Sequence, residues 1–561
     1  MPTDCQNIIY SNDYYDLIID EDSLRGRAEY PCVQTLSEQY VTVFISRETN
    51  PLLSLNNYSY GAIPKCFGLS DTQAIEAAGI YIIQRYPGLE LTGAGVLMGF
   101  IDTGIDINND VFKNSFGQTR IEAIWDQTIP SDNPPFNLKY GTEYRRGQIN
   151  EALNSGLTQT IVMSTDTNGH GTAMASVAAG SDIPLDDFIG AAPESDIAVV
   201  KLKETKQNLK SYYGINTDAP CYQENDIMAG ISYLEQLAAS LEKPLVIVIG
   251  LEGNLGDHDG NSPLGNMLSR LSRRRRRAVV IGTGNEANNS HHYAGQIEES
   301  GSEEVEIRVD EEAESFTLEL WASIPDLYNV SVVSPTGEEL AGISVNKRDV
   351  TRHRFVFEQT DLEAESLFST IIGGAQLVQL RFKNLTEGIW VIRVFAVNAV
   401  RAPYHMWLPI DSFLSGEVIF LSPEPETTLS DISTVESIIT TASYDSRDDS
   451  IYLNSGRGYT RTGNTKPDIS SPGVEVYAAL PGNRYARRSG GSIAAAICAG
   501  AVALIMEWAV IDGNFYEVDS AQIKALLIRG AQSERFRTYP NREWGYGIMN
   551  LYESFETLRL S

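Results

Sequence analysis

The chain has 561 residues, 42% of them hydrophobic, which is too long for one core and implies about three packed domains. Its 74 acidic against 43 basic residues give a formal charge of −31, which argues against nucleic acid or anionic membrane surfaces as partners. No stretch is read as reaching the roughly 20 apolar residues that cross a bilayer, and Met1-Pro2-Thr3-Asp4-Cys5-Gln6-Asn7 lacks the basic start and apolar run of an export signal, so retention inside a cell compartment is expected.

In chain order, residues 1 to about 66 hold short β-like runs such as Tyr40-Val41-Thr42-Val43-Phe44-Ile45. The apolar run Val96-Leu97-Met98-Gly99-Phe100-Ile101 reads as a buried strand ending in Asp102-Thr103-Gly104, and Asn168-Gly169-His170-Gly171-Thr172 holds one of only six histidines. Leu245-Val246-Ile247-Val248-Ile249 reads as a second buried strand that emerges into Gly250-Leu251-Glu252-Gly253, a glycine-containing edge on which an extended peptide can add as a strand. The basic block Arg273 to Arg277 is read as a solvated helix end, where cations suit the dipole. Behind it Ala278-Val279-Val280-Ile281-Gly282 makes a third buried strand, ending in Thr283-Gly284-Asn285-Glu286.

From about 292 to 412 the pattern changes to alternation of apolar and polar residues. Val305 to Val309, Phe316 to Trp321, Arg354-Phe355-Val356-Phe357, Leu377 to Phe382 and Trp390 to Phe395 all show it, with turns such as Pro335-Thr336-Gly337 between. A period of two predicts an antiparallel β-sandwich. Further on, Gly490-Gly491-Ser492 precedes Ile493-Ala494-Ala495-Ala496-Ile497-Cys498-Ala499-Gly500-Ala501-Val502-Ala503-Leu504, which reads as a buried helix with Ser492 at its positive end. The five cysteines, Cys5, Cys32, Cys66, Cys221 and Cys498, are odd in number, sparse and without CxxC spacing, which argues against a disulfide framework or a zinc site; Cys498 is expected simply to pack.

Acid, base and nucleophile therefore occur in the order Asp102, His170, Ser492. A serine hydroxyl attacks only when a neighbour takes its proton, and imidazole titrates near neutrality; a buried carboxylate then fixes the imidazole tautomer and stabilises the imidazolium. Asn285 is the candidate oxyanion donor, an interaction typically worth about 10²- to 10³-fold in rate. Each fragment alone reads more readily as a turn or cap; their joint occurrence at strand ends and helix starts in one order carries the assignment. The other histidines, 258, 291, 292, 353 and 405, lack such a setting and are assigned surface or packing roles.

With these residues in view, the chain resembles the subtilisin-like serine proteases (subtilases). Gly190-Ala191-Ala192-Pro193 leading into Asp196 to Leu202, Gly456 to Thr460 with Lys466 to Gly473, and Trp544-Gly545-Tyr546-Gly547-Ile548-Met549-Asn550 resemble further segments of that family. Within it, Ser492-Ile493-Ala494-Ala495-Ala496, Leu504 to Ala509, Asp257 to Leu264 and the large insertion resemble the clostridial Csp spore-germination proteases. Two positions depart from the family pattern: Gly491 stands where threonine is usual and Ala287 where glycine is usual. Neither removes a catalytic functional group, but Gly491 loosens the backbone just before Ser492.

The resemblance implies an α/β fold with a subtilisin-like parallel sheet flanked by helices, an amino-terminal α+β prodomain over 1–68, catalytic segments over 69–291 and 413–561, and the sandwich at 292–412 as an inserted jelly roll. It implies self-cleavage between about Cys66 and Ser70, with the propeptide retained in the active site. It implies limited proteolysis of a spore-cortex hydrolase zymogen, related Csp proteins as further partners and a spore-associated location; calcium is common in the family, but no acidic loop in this sequence dictates a site, so neither cofactor nor required metal is expected. The alternative from another class is a weakly active or non-catalytic germinant-sensing scaffold of the same fold; a third is a broad degradative protease.

Overall fold

The computed structural model describes residues 5–24, 30–69, 76–297, 301–343, 350–369, 374–398 and 403–559. Its centre is a nine-stranded sheet with the order Ser450–Ile451, Ile439–Asp445, Arg277–Gly282, Leu245–Ile249, Leu97–Asp102, Asp196–Lys201, Ile121–Asp126, Thr142–Arg145, and with Ile469–Pro472 beside Ile439–Asp445. All pairs are parallel except those made by the two outermost strands.

Alternation within each apolar run divides it between two layers, because successive side chains point to opposite faces. Met98, Phe100, Val246, Val248 and Val280 face the layer holding the helices His170–Ala179 and Gly491–Met506. Leu97, Ile101, Leu245, Ile247 and Ile281 face the opposite layer, with Ile227, Ile231 and Leu234 of the helix Glu224–Ser240 and Leu264, Leu268 and Leu271 of the helix Pro263–Ser272. These strand residues are essentially fully buried, each worth about 1.5–3 kcal/mol relative to exposure. Gly99 lets the second layer close, since a Cβ there would stand 2.7 Å from Leu234 Cδ1.

The helix Gly491–Met506 and its π-helical continuation to Ile511 are long and apolar enough to span a bilayer, which corrects the reading that no such stretch exists. The segment is almost entirely buried up to Val510 and is the core helix of the larger layer, so small and aliphatic residues all round are what its environment demands.

At the amino terminus, the helix Cys5–Tyr10 packs on a three-stranded antiparallel sheet, order Tyr14–Asp20, Tyr40–Ser46, Cys32–Thr35. Cys5 and Cys32 are joined as a disulfide, contrary to the expectation from cysteine count. The pairing belongs to the fold, which brings the start of the helix against the strand Cys32–Thr35; spacing carries no trace of it. Cys66, Cys221 and Cys498 are free and buried.

The insertion forms two antiparallel sheets enclosing one apolar core. The six-stranded sheet runs His292–Gly295, Tyr404–Trp407, Ser315–Ser323, Ala375–Lys383, Asp361–Ser369, Thr351–Arg354; the five-stranded one runs Glu339–Ile343, Leu327–Val333, Gly388–Asn398, Ser302–Val309, Val418–Phe420. Two expectations need correction. Val418–Phe420 pairs with Ile307 to Val309 and so carries the sandwich past residue 412. The run Arg354 to Phe357 is not a strand throughout: Phe355 enters the core, Gln359 N–H closes a turn on Phe355 O at 2.9 Å, and Val356 and Phe357 are exposed. On Ser315–Ser323, Phe316, Leu318 and Leu320 enter the sandwich core while Glu319 and Trp321 point the other way and are also buried. Trp321 lies in a separate apolar cluster with Tyr15, Leu17, Val43 and Tyr60 from the amino-terminal segment and Leu209, Tyr213 and Leu255 from around the central sheet.

Candidate active site

Asp102 ends the strand Leu97–Asp102 and is completely buried; its Oδ1 accepts the Thr103 N–H at 2.7 Å. His170 opens the helix His170–Ala179 after Gly169, whose φ of 90° is left-handed and suits glycine. Asp166 organises this turn: Oδ1 accepts Gly169 N–H at 2.8 Å and Thr103 Oγ1 at 2.9 Å, and Oδ2 accepts both N–H and hydroxyl of Thr172 at 2.9 and 2.6 Å. The carboxylate satisfies orphan donors of the helix start and ties it to the end of the Asp102 strand.

The three predicted side chains meet. His170 Nδ1 lies 2.8 and 2.9 Å from the two Asp102 oxygens, and Nε2 lies 3.1 Å from Ser492 Oγ. Ser492 is the second residue of its helix and is buried. Glycines make the approach possible: a Cβ on Gly250 would strike Met174 Sδ and stand 2.6 Å from Asp102 Oδ2, and one on Gly282 would strike the Gly491 carbonyl. Gly250, predicted to bind substrate, thus also packs against the buried carboxylate.

Asn285 follows the strand Arg277–Gly282 beside Ser492. Its Oδ1 accepts Gly491 N–H at 3.1 Å, while Nδ2 lies 3.2 and 3.4 Å from Glu252 Oε2 and Oε1; Glu252 Oε2 also accepts the Asn285 backbone N–H at 2.6 Å. Sequence reading placed Glu252 on a substrate edge and missed that its side chain turns to Asn285. Burial, reinforced by the nearby Glu286 carboxylate, pushes the Glu252 carboxyl up to about 8. Glu286 is itself held against His291 Nδ1 at 2.5 Å.

The predicted edge Leu251–Glu252 is a strand, and its partner is Cys66–Leu69: Leu251 stands opposite Leu69 and Glu252 opposite Gly68, antiparallel. On the other side Cys66 and Phe67 pair with Gln223 and Tyr222, an edge too short to show in the sequence. Residues 66–69 therefore lie between two strands, as an extended peptide substrate would. Of the expected cleavage interval, Ser70 lies outside the described residues. Just upstream, Lys65 Nζ donates to Tyr60 O and Ile63 O at 2.9 and 2.8 Å and faces Glu224 at 3.7 Å, while Lys65 N–H donates to Glu224 Oε2 at 3.1 Å.

Elsewhere, His258, His292 and His405 are buried in stacks around Trp407, His353 pairs with Glu338, and in the basic block Arg274 meets Glu235 and Arg275 meets Glu517. Among the described residues no group of three or more His, Cys, Asp or Glu side chains is arranged to hold a metal ion.

The subtilase-family model matches residues 93–302 and 412–547, more than half of the chain and both segments that carry the converging side chains. The chain belongs to the subtilase family. It is similar in structure to the Clostridium perfringens CspB protease, with a TM-score of 0.77 and 29% sequence identity over 87% of this chain and 99% of that one. A structure described as the S41 psychrophilic protease aligns with a TM-score of 0.43 and 16% identity over 84% of this chain and 97% of that one. A search of curated protein sequences returns no match. This subtilase is a subtilisin-type serine endopeptidase of the Csp kind, with its α/β sheet interrupted by an inserted antiparallel sandwich.

Proposed function

We propose that this endopeptidase cuts its own amino-terminal segment and then performs limited proteolysis of one protein, a spore-cortex hydrolase zymogen, during germination. Ser492 Oγ attacks the scissile carbonyl as His170 Nε2 takes its proton, and Asp102 stabilises the resulting imidazolium. The oxygen that gains charge is met by Asn285 Nδ2 and by the positive end of the Ser492 helix. Collapse breaks the C–N bond, with the proton passing from His170 to the leaving amine; water then repeats the sequence on the acyl ester.

The observation that carries this reading is the His170 bridge, 2.8 Å to Asp102 and 3.1 Å to Ser492, beside a strand from the chain's own amino terminus held in the peptide cleft. Retention of that segment is supported by its contacts with both catalytic and inserted parts: Lys65 N–H donates to Glu224 Oε2 at 3.1 Å, Tyr60 OH to Glu319 Oε2 at 2.7 Å and Asn56 N–H to Glu365 Oε1 at 3.3 Å. A cleft so covered favours one docked protein over general digestion. The same coverage is what favours the second reading, a weakly active germinant-sensing scaffold, because substrate must displace residues 66–69.

Incubation of the purified protein with a cortex-hydrolase zymogen and with casein separates the readings. One discrete cut in the zymogen, absent with Ser492→Ala, and intact casein are expected. Digested casein supports a degradative role, and two intact substrates support the scaffold.

A further inference from the structure

Glu252 is bound to Asn285 more closely than its place on a substrate edge requires. Oε2 accepts the Asn285 backbone N–H at 2.6 Å, both carboxyl oxygens lie within 3.4 Å of Nδ2, and Oδ1 of the same amide accepts Gly491 N–H at 3.1 Å. The amide is fixed at both ends, its oxygen toward the residue before Ser492 and its amino group toward Glu252. An amide nitrogen carries two hydrogens in one plane, so engaging one sets the direction of the other. Gly284, at φ 87°, leaves room for the carboxyl group, since a Cβ there would stand 3.1 Å from Glu252 Oε2.

We infer that Glu252 is a positioning residue, which aims the Asn285 amide at the carbonyl oxygen of a peptide bound on Leu251–Glu252. This rests on the peptidase reading given above. The titratable groups facing Glu252 are Glu286 from the turn after the strand Arg277–Gly282 and His170 from its helix start with Asp102 behind it; Gly68 stands opposite on the paired strand. Burial and Glu286 outweigh the hydrogen bonds from Asn285 and the pull of His170, and hold the carboxyl to about 8. At pH 7 Glu252 is therefore mainly a neutral acid, an acceptor for Asn285 that adds no negative charge beside the developing oxyanion. Ionisation above pH 8 places a like charge one amide away from it and opposes the reaction.

The test is the rate at which a fluorophosphonate probe labels Ser492, measured from pH 6 to 10 on the full chain, with Ser492→Ala as blank and reversible probe affinity separated from the covalent step. Glu252→Ala is expected to slow the covalent step about tenfold to a hundredfold with affinity unchanged. Glu252→Gln, which keeps an acceptor oxygen, is expected within about threefold of wild type at pH 7, and to lose the fall in rate that the wild type shows above pH 8. Labelled wild type with Glu252→Ala within twofold of it, or with Glu252→Gln keeping the same alkaline fall, overturns this inference alone. Wild type labelled no faster than Ser492→Ala overturns the peptidase reading and the inference together. If Glu252→Ala fails to fold, the pH profile of Glu252→Gln decides.

Discussion

Tyr60 sits where the amino-terminal segment, the catalytic sheet and the inserted sandwich meet, and Tyr60→Phe tests whether that junction holds residues 60–69 in place. Its hydroxyl donates to Glu319 Oε2 at 2.7 Å, and Glu319 also accepts Trp321 Nε1 at 3.1 Å, Gln379 Nε2 at 2.9 Å and Gly256 N–H at 3.2 Å. Phenylalanine keeps the buried ring, its edge-on contact with Trp321 at 5.1 Å and the Lys65 ammonium 4.2 Å over its face. Only one hydrogen bond to a buried carboxyl is lost, and three donors to it remain. The expected cost is about 1.5–2 kcal/mol, or about tenfold to thirtyfold in the opening equilibrium of the segment. The assay is hydrogen exchange of the amides of Cys66–Leu69, in a Ser492→Ala background so that the chain stays uncut. Faster exchange by about tenfold, confined to the strand and the residues leading into it, is expected. Protection within twofold of the parent, or a loss spread evenly through the central sheet, refutes the reasoning.

Asp102→Asn keeps the shape of the site but presents an amide to His170 Nδ1, and kcat on any cleaved peptide is expected to fall about 10⁴-fold with KM little changed; a loss below tenfold would remove Asp102 from the assignment. In stability, Glu252→Gln gains on wild type as pH rises. The folded chain holds the Glu252 proton up to about 8 whereas the unfolded chain releases it near 4.5, so wild type loses stability between those values by up to a few kcal/mol. Melting curves of the two proteins are expected to agree at pH 4 and to diverge steadily to pH 8; parallel curves would contradict the burial argument. Cys32→Ser opens a disulfide closing a separation of 27 residues and is expected to destabilise the amino-terminal unit by about 3 kcal/mol, read as a lower urea midpoint for exchange in Tyr14–Asp20 and Tyr40–Ser46. An unchanged midpoint would mean that the disulfide adds nothing.

The convergence of Asp102, His170 and Ser492 was legible because three local signals, each weak alone, occur together at strand ends and helix starts in one order. Asp102 ends an uninterrupted apolar run, His170 follows the glycine that starts a helix, and Ser492 precedes a stretch of small apolar residues whose only stable place is a core. The sandwich was legible in its alternation for the same reason. What the sequence hid lies between elements. The Cys5–Cys32 bond depends on a helix and a strand being packed together, and the edge Tyr222–Gln223 is two residues long. Val418–Phe420 is three residues long, too short for alternation to show, and the aromatic run ending at Phe357 looked like a strand because nothing local marks the turn after Phe355. Alternation over Phe316 to Trp321 does not show that the face bearing Glu319 is buried; Tyr60 of the amino-terminal segment and Gly256 close over it.

Intact mass spectrometry of freshly purified wild type and Ser492→Ala most directly tests whether Asp102, His170 and Ser492 act as one hydrolytic unit on the strand in the cleft. The account predicts that wild type resolves into two co-purifying fragments divided just after Cys66–Leu69, and that Ser492→Ala gives a single mass for the whole chain. An undivided wild type, or the same two fragments from Ser492→Ala, would contradict it.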